Sequence, residues 1–233
     1  MLTLSEQPVQ WIAGLERPEW DSWFMSMVFV VAMRSPDRQT KQGAVIVDWP
    51  SKAVIGVGYN GHPRGADNNL PTMRAGSVLW GQVSWQGTLY NVGDCVPASQ
   101  RAEAHKAFPT QIQGEPDKYV YMCHCDTNAL LSVTRPSNDA VMYVPMPPCE
   151  ACGALLLNHP SVKINRIVYY EDRDYRNHIF VCRPDVRVER WNHGKMDPAD
   201  ILEQAATYMR LRKAASKALS KESTRTYFGP EES

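Results

Sequence analysis

Apolar positions recur densely through "PEWDSWFMSMVFVVAMR", residues 18 to 34, which opens on proline and acidic residues and closes on arginine. That pattern predicts a buried helix. "GAVIVD" (43 to 48) and "AVIGVGYN" (53 to 60) are β-branched runs parted by Trp-Pro-Ser-Lys, which predicts a hairpin. Residues 72 to about 117 mix Gly, Trp, Gln and Ser without a sustained period. They read as an insertion with little regular structure of its own, too long for an ordinary connection. Periodic order returns with a helix starting near His124, a strand over "AVMYVP" (140 to 145), a helix from Pro148 and a strand over "INRIVYY" (164 to 170). The order βα, βα, β predicts an α/β domain whose mixed or parallel sheet carries packed helices. The tail "DPADILEQAATYMRLRKAASKAL" (197 to 219), with proline near its start and repeated Ala, Leu and Arg, predicts a surface helix. The organisation expected is a main domain over 1 to 196, interrupted by the insertion, and a helical tail over 197 to 233.

Composition narrows the function. With 233 residues and 43% apolar content the chain can bury a core. Lys+Arg and Asp+Glu balance at 25 each, so no net positive field attracts a nucleic-acid backbone, and a small ligand is the better expectation. The basic face of the tail, "RLRKAASKALSK", reads as solvated. The apolar run "WFMSMVFVVAM" (23 to 33) is too short to span a bilayer and no signal peptide is visible, so a soluble cytoplasmic protein is expected, in the host cytoplasm if the source is viral. Six cysteines, four of them in two tight groups, point to metal or catalysis instead of disulfides.

The two groups are "YMCHCDTNALL" (121 to 131) and "PMPPCEACGALLL" (145 to 157). Cys149 and Cys152 are three apart behind a proline pair that marks a helix start, so both sulfurs share one face of the first turn, where exposed amides favour thiolates. Zinc accepts two thiolates and an imidazole, and His124 supplies the imidazole from the other group. The intervening residues have room for one helix and one strand, which brings two helix starts to one sheet edge. A fourth corner left to water makes the site catalytic; a fourth corner filled by Cys123 or Cys125 makes it structural.

His-x-acid followed, after one αβ unit, by Pro-Cys-x-x-Cys resembles the zinc-dependent nucleobase and nucleotide deaminases. Within them, "PEWDSWFMSMVFVVAMRSPDRQTKQGAVIV", "VIGVGYNGHPRGADNNLP", "KYVYMCHCDTNALL" and "PPCEACGALLL" resemble the deoxycytidylate (dCMP) deaminases. The resemblance implies a cytidine-deaminase-like αβα fold with a mixed central sheet and helices on both faces, a zinc ion, and a hydrolase acting on a cyclic amidine that converts dCMP to dUMP and ammonia. It implies a homo-oligomer, commonly a hexamer, with dCTP activating and dTTP inhibiting. By the same resemblance Asn60 contacts the sugar, Arg34 and Ser35 hold the 5′-phosphate, and Tyr175 lies near the base. Each has an ordinary alternative: Asn60 is also a common turn residue and Arg34 a common surface cation.

Two adjacent positions depart from the family. Glutamate is usual two residues after the histidine and alanine between them; here Asp126 and Cys125 stand there. The family glutamate shuttles a proton from water to the ring nitrogen and the leaving amine, and Asp126 can do so on a stem one methylene shorter. A misplacement of about 1 Å can cost roughly a hundredfold in rate. The alternatives are a site retuned for a 5-modified dCMP, a weakened nucleotide-binding regulator, or an aspartate that only caps its helix. The loop "GHPRGADNNLP" is one residue shorter than the family's effector loop and poorer in carboxylates, which counts against effector control. Cys95, Glu103 and His105 read either as a second zinc set or as scattered polar residues. Trp80 and Trp85 carry apolar surface that another subunit or the site would cover.

Overall fold

The two β-branched runs form the expected hairpin: β1 (Gly43–Asp48) and β2 (Ala53–Tyr59) pair antiparallel from Asp48 against Ala53 to Gly43 against Tyr59. The computed structural model describes residues 15–37, 40–66, 82–85, 88–91, 122–171, 180, 183–192 and 196–228. Two compact units divide the chain, residues 27–191 and residues 1–26 with 192–233.

In the first unit, strands β1, β2, β5 (Ser137–Val144), β6 (Val162–Tyr169) and β7 (Arg187–Arg190) form one sheet in the order β2-β1-β5-β6-β7. β1 pairs antiparallel with β5, while β5 with β6 and β6 with β7 are parallel, so the sheet is mixed as expected. β7 was not anticipated, because "RVER" has too few apolar positions to mark a strand and owes its conformation to pairing with β6. Helix α2 (Cys125–Leu131) joins the β2 side to β5, and α3 (Glu150–Leu157) joins β5 to β6.

Alternation along β1 decides the layers. Ala44 and Ile46 enter a core with Ile55, Ala129, Met142 and Leu156, which places α2 and α3 on that face. Burying a side chain the size of Ile46 contributes about 1.5–3 kcal/mol. Gly43 has the parity of the buried Val45 and Val47 on the other face, and a Cβ there would stand 2.2 Å from the Val28 carbonyl oxygen and 2.7 Å from the Ala32 nitrogen. The end of α1 (Trp20–Ala32) therefore packs on that second face. These layers bear out the cytidine-deaminase-like α/β fold.

Inside the expected insertion, Gln82–Trp85 (β3) and Thr88–Asn91 (β4) pair antiparallel as a separate two-stranded sheet. Gln-Gly at 86 and 87 parts these two short alternating runs, a hairpin signal obscured by the polar surroundings. In the second unit, helix α4 (Pro198–Phe228) starts where the sequence places it, with Asp197 Oδ1 accepting the Ala199 amide at 2.8 Å, and runs further than the expected 219.

Candidate metal centre and active site

The start of α2 is held in place by backbone. Gly61 and Cys123 exchange two hydrogen bonds, 3.1 Å from the Gly61 amide to the Cys123 oxygen and 2.8 Å in return, so the chain leaving β2 clamps the chain entering α2. Two glycines of "VIGVGYN" allow the helix to approach β2 this closely. A Cβ on Gly58 would lie 2.1 Å from the Ala129 nitrogen and 2.5 Å from the Cys125 oxygen, and one on Gly56 would lie 2.6 Å from the Ala129 oxygen. Polar side chains of α2 and the segment after it cover the outer edge of β2. Asn128 Nδ2 donates to the Tyr59 oxygen at 2.8 Å, Ser132 Oγ accepts the Val57 amide at 2.8 Å, and the Thr134 amide donates to the Ile55 oxygen at 2.9 Å. An edge that would otherwise offer unpaired groups is thereby protected.

His124 is the N-cap residue of α2 and Cys149 that of α3. The His124 Nδ1 atom lies 3.4 Å from the Cys149 sulfur and 3.4 Å from the Cys152 sulfur, and all three ligand atoms fall within 4.8 Å of one another. A tetrahedral zinc ion, about 2.3 Å from sulfur and about 2.0 Å from nitrogen, keeps such atoms about 3.5 Å apart, so the triangle fits. Among the described residues these three alone form such a group. Neither Cys123 nor Cys125 joins this group, and the Cys125 sulfur is directed at Asp126 Oδ1 and Gln42 Oε1. Among the described residues no fourth side-chain ligand stands with the three. Hydrogen bonds with Cys152 and His124 pull the Cys149 thiol down to about 4. Cys152 is pushed up by its hydrogen bond with Cys149, by burial and by the Asp126 charge. A divalent ion suits the pair as two thiolates. Thr127 Oγ1 lies 3.5 Å from the Cys152 sulfur, a contact the sequence did not advertise.

Asp126 is 5% exposed and follows Cys125, the first residue of α2, so His124 and not Asp126 holds the cap position. Burial raises its carboxyl above the usual carboxylate range. The Cys125 sulfur, 1% exposed, donates to Asp126 Oδ1 at 3.4 Å, and the thiol is pushed well up by burial and the Asp126 charge.

Asn60 is buried and its amide is occupied within the protein. Oδ1 accepts the Gln42 amide at 2.8 Å, while Nδ2 donates to Asp37 Oδ2 and to the Thr40 oxygen, both at 2.9 Å. Ser35, also buried, donates to the Asn60 oxygen at 2.8 Å and accepts the Asp37 amide at 3.1 Å. Both side chains, expected at the sugar and the phosphate, organise the loop that carries Gln42 toward Cys125. Arg34 is exposed. Tyr175, Trp80, Cys95, Glu103 and His105 lie outside the described residues. Gln42 and its contact with Cys125 escaped the sequence reading because nothing local links positions 83 residues apart.

A family model for the cytidine and deoxycytidylate deaminase zinc-binding region matches residues 18–171, more than half of the chain. The chain belongs to the cytidine and deoxycytidylate deaminase family. As a member of that family it is 30% identical over 157 residues to the deoxycytidylate deaminase of Mycobacterium phage D29, covering 66% of this chain and 97% of that protein. It is 29% identical over 158 residues to the deoxycytidylate deaminase of Homo sapiens and 27% identical over 156 residues to that of Mus musculus. It spans 66% of the length of each of these two. The dCMP deaminase of cyanophage S-TIM5, solved in complex with dCMP and dUMP, aligns over 76% of this chain and 100% of that one, at 16% identity and a TM-score of 0.45. No helix among the described residues is long and apolar enough to cross a membrane.

Proposed function

We propose that this deaminase-family chain hydrolyses dCMP to dUMP and ammonia, with zinc at His124, Cys149 and Cys152 and Asp126 as proton carrier. The observation that carries the reading is the ligand triangle with a buried carboxylate two residues after His124 in the first turn of α2, one that also interacts with Cys152. The names of the phage, human and mouse relatives supply the substrate class.

Zinc, when bound, supplies Lewis acidity that lowers the pKa of a water to about 7. The rest of the chemistry falls to the chain. Asp126 would accept one proton of the attacking water as its oxygen bonds to C4 of the cytosine and pass it to the ring nitrogen; it would then take the remaining proton from the oxygen on C4 and give it to the amino group, which leaves as ammonia as the C4–N bond breaks and the C4 carbonyl forms. The apolar packing of α2 keeps this carboxylate dry, so a proton on it is exchanged with the reactants and not with solvent. Asn60 and Ser35 act one step back by fixing the 35–42 loop, and exposed Arg34 is the cation available to a 5′-phosphate. The proposal extends to a homo-oligomer, which light scattering reads directly.

Zinc-loaded protein incubated with dCMP should release ammonia and dUMP in equal amounts. Binding of cytosine nucleotides without turnover would favour a regulator that kept the fold. Neither binding nor turnover would leave a zinc module with another partner.

A further inference from the structure

Cys125 occupies a place where the chain departs from its family, and it does so beside the other departure, Asp126. The two side chains meet: the Cys125 sulfur is 3.4 Å from Asp126 Oδ1, with both residues almost wholly buried. A thiol is a weak donor, but in a dry setting its bond to that oxygen counts, beside the interaction that Cys152 makes with the same carboxyl. Gln42 Oε1, at 3.9 Å from the same sulfur, is the more distant acceptor, so the S–H proton is directed to the carboxylate. Gln42 itself is pinned at its backbone by Asn60. An alanine at 125 would leave Asp126 Oδ1 without this partner, and the shorter acid would be free to rotate away from the reacting atoms.

We infer that Cys125 is a positioning residue for Asp126: its S–H holds the aspartate carboxylate in the orientation that proton transfer needs, and the Cys125–Asp126 pair works as a matched replacement for alanine followed by glutamate. This rests on the reading of Asp126 as the proton carrier. The fit has a steric side as well as a polar one. Cysteine is larger than alanine by a sulfur atom, and that volume fills space beside an acid one methylene shorter than glutamate.

The matched pair makes the effect of Cys125 depend on the residue at 126. With zinc-loaded enzyme and dCMP, C125A should lower kcat about tenfold with little change in KM, since a carboxylate turned by a fraction of 1 Å loses rate and not ground-state binding. C125S keeps a donor and should retain most of the rate. In a D126E background C125A should cost nothing, because the longer acid needs neither the donor nor the sulfur's volume. Equal losses from C125A in both backgrounds, or C125S as slow as C125A, would reduce Cys125 to packing and overturn the inference.

A second readout needs no turnover. The infrared S–H stretch removed by C125A identifies the Cys125 thiol in a difference spectrum against the natural protein. It should lie below the frequency of an unbonded thiol and return toward it in a D126A background. A band insensitive to D126A would overturn the contact itself. Absence of dCMP turnover in the natural protein would instead defeat the proposed substrate and leave this spectroscopic result standing.

Discussion

Gly61 and Cys123 are bound backbone to backbone in both directions, and this bridge places His124, the next residue, beside the end of β2. His124 is thus positioned by main chain at a point where no side chain has to be chosen for the task. A site built this way is rigid because its register is that of the sheet, and its weak point is whatever lets α2 approach β2.

That weak point is Gly58. In Gly58→Ala the new Cβ would overlap the Ala129 nitrogen and the Cys125 oxygen, both backbone atoms that cannot rotate aside. Overpacking of this kind costs about 1–3 kcal/mol, and the displaced helix carries His124 and Asp126 with it. Thermal unfolding should show a lowered Tm, and zinc content at equal protein should fall. An unchanged Tm with full zinc would mean that the helix can retreat without consequence.

Protein purified without added metal should contain about one zinc ion per chain at this site, since two thiolates and one imidazole meet the ion's preferences. Cys149→Ser removes a sulfur that accepts the Cys152 amide and lies 3.4 Å from His124. Elemental analysis of that variant should find little zinc. Zinc retained at full occupancy would place the metal elsewhere.

Asp126→Asn keeps the shape of the side chain and loses its proton chemistry. Turnover should drop at least about a hundredfold while zinc and nucleotide binding hold. Asp126→Glu lengthens the acid against the buried Cys125 and should slow dCMP turnover about tenfold through misplacement. A faster Asp126→Glu enzyme would mark the natural protein as an impaired family member, and a natural preference for 5-methyl or 5-hydroxymethyl dCMP in the same assay would mark a retuned site.

Asn60→Ala removes three hydrogen bonds and leaves the Gln42 amide, Asp37 and the Thr40 oxygen each short of a partner. Each buried group so left costs about 1–3 kcal/mol, so Tm should fall clearly, and activity should fall with it as Gln42 and its loop loosen. A raised KM for dCMP with an unchanged Tm would instead assign Asn60 to the sugar.

Acid sensitivity should trace in part to Asp48. Hydrogen bonds from Ser51 and Ser137, with the Arg135 charge at 3.0 Å, hold its carboxyl below the ordinary value of 3.8. A carboxyl lowered by folding contributes stability above its unfolded pKa and loses it as the pH falls through the folded one. The Tm advantage of the natural protein over Asp48→Asn should therefore be full at pH 5 and shrink below about pH 4. A constant gap across that range would remove Asp48 from the acid response.

What the sequence by itself determined is what neighbours along the chain encode. The β-branched runs around Trp-Pro-Ser-Lys specify the β1–β2 hairpin, the proline pair ahead of Cys149 specifies a helix start, and a histidine with two cysteines three apart specifies a soft divalent ion, because backbone preference and ligand chemistry are local properties. The tertiary structure alone decided which partners those residues meet. Asn60 has the form of a ligand-binding amide, yet Asp37, Thr40 and Gln42, 18 to 23 positions away, close around it once the loop folds back on β2. β7 is a strand only because β6 offers it a ladder. By sequence Cys123 and Cys125 could each have closed a fourth corner, but neither joins the His124, Cys149 and Cys152 group, and the Cys125 sulfur is set against Asp126. Long-range closure of this kind depends on where distant segments come to rest, and a local pattern carries no record of it.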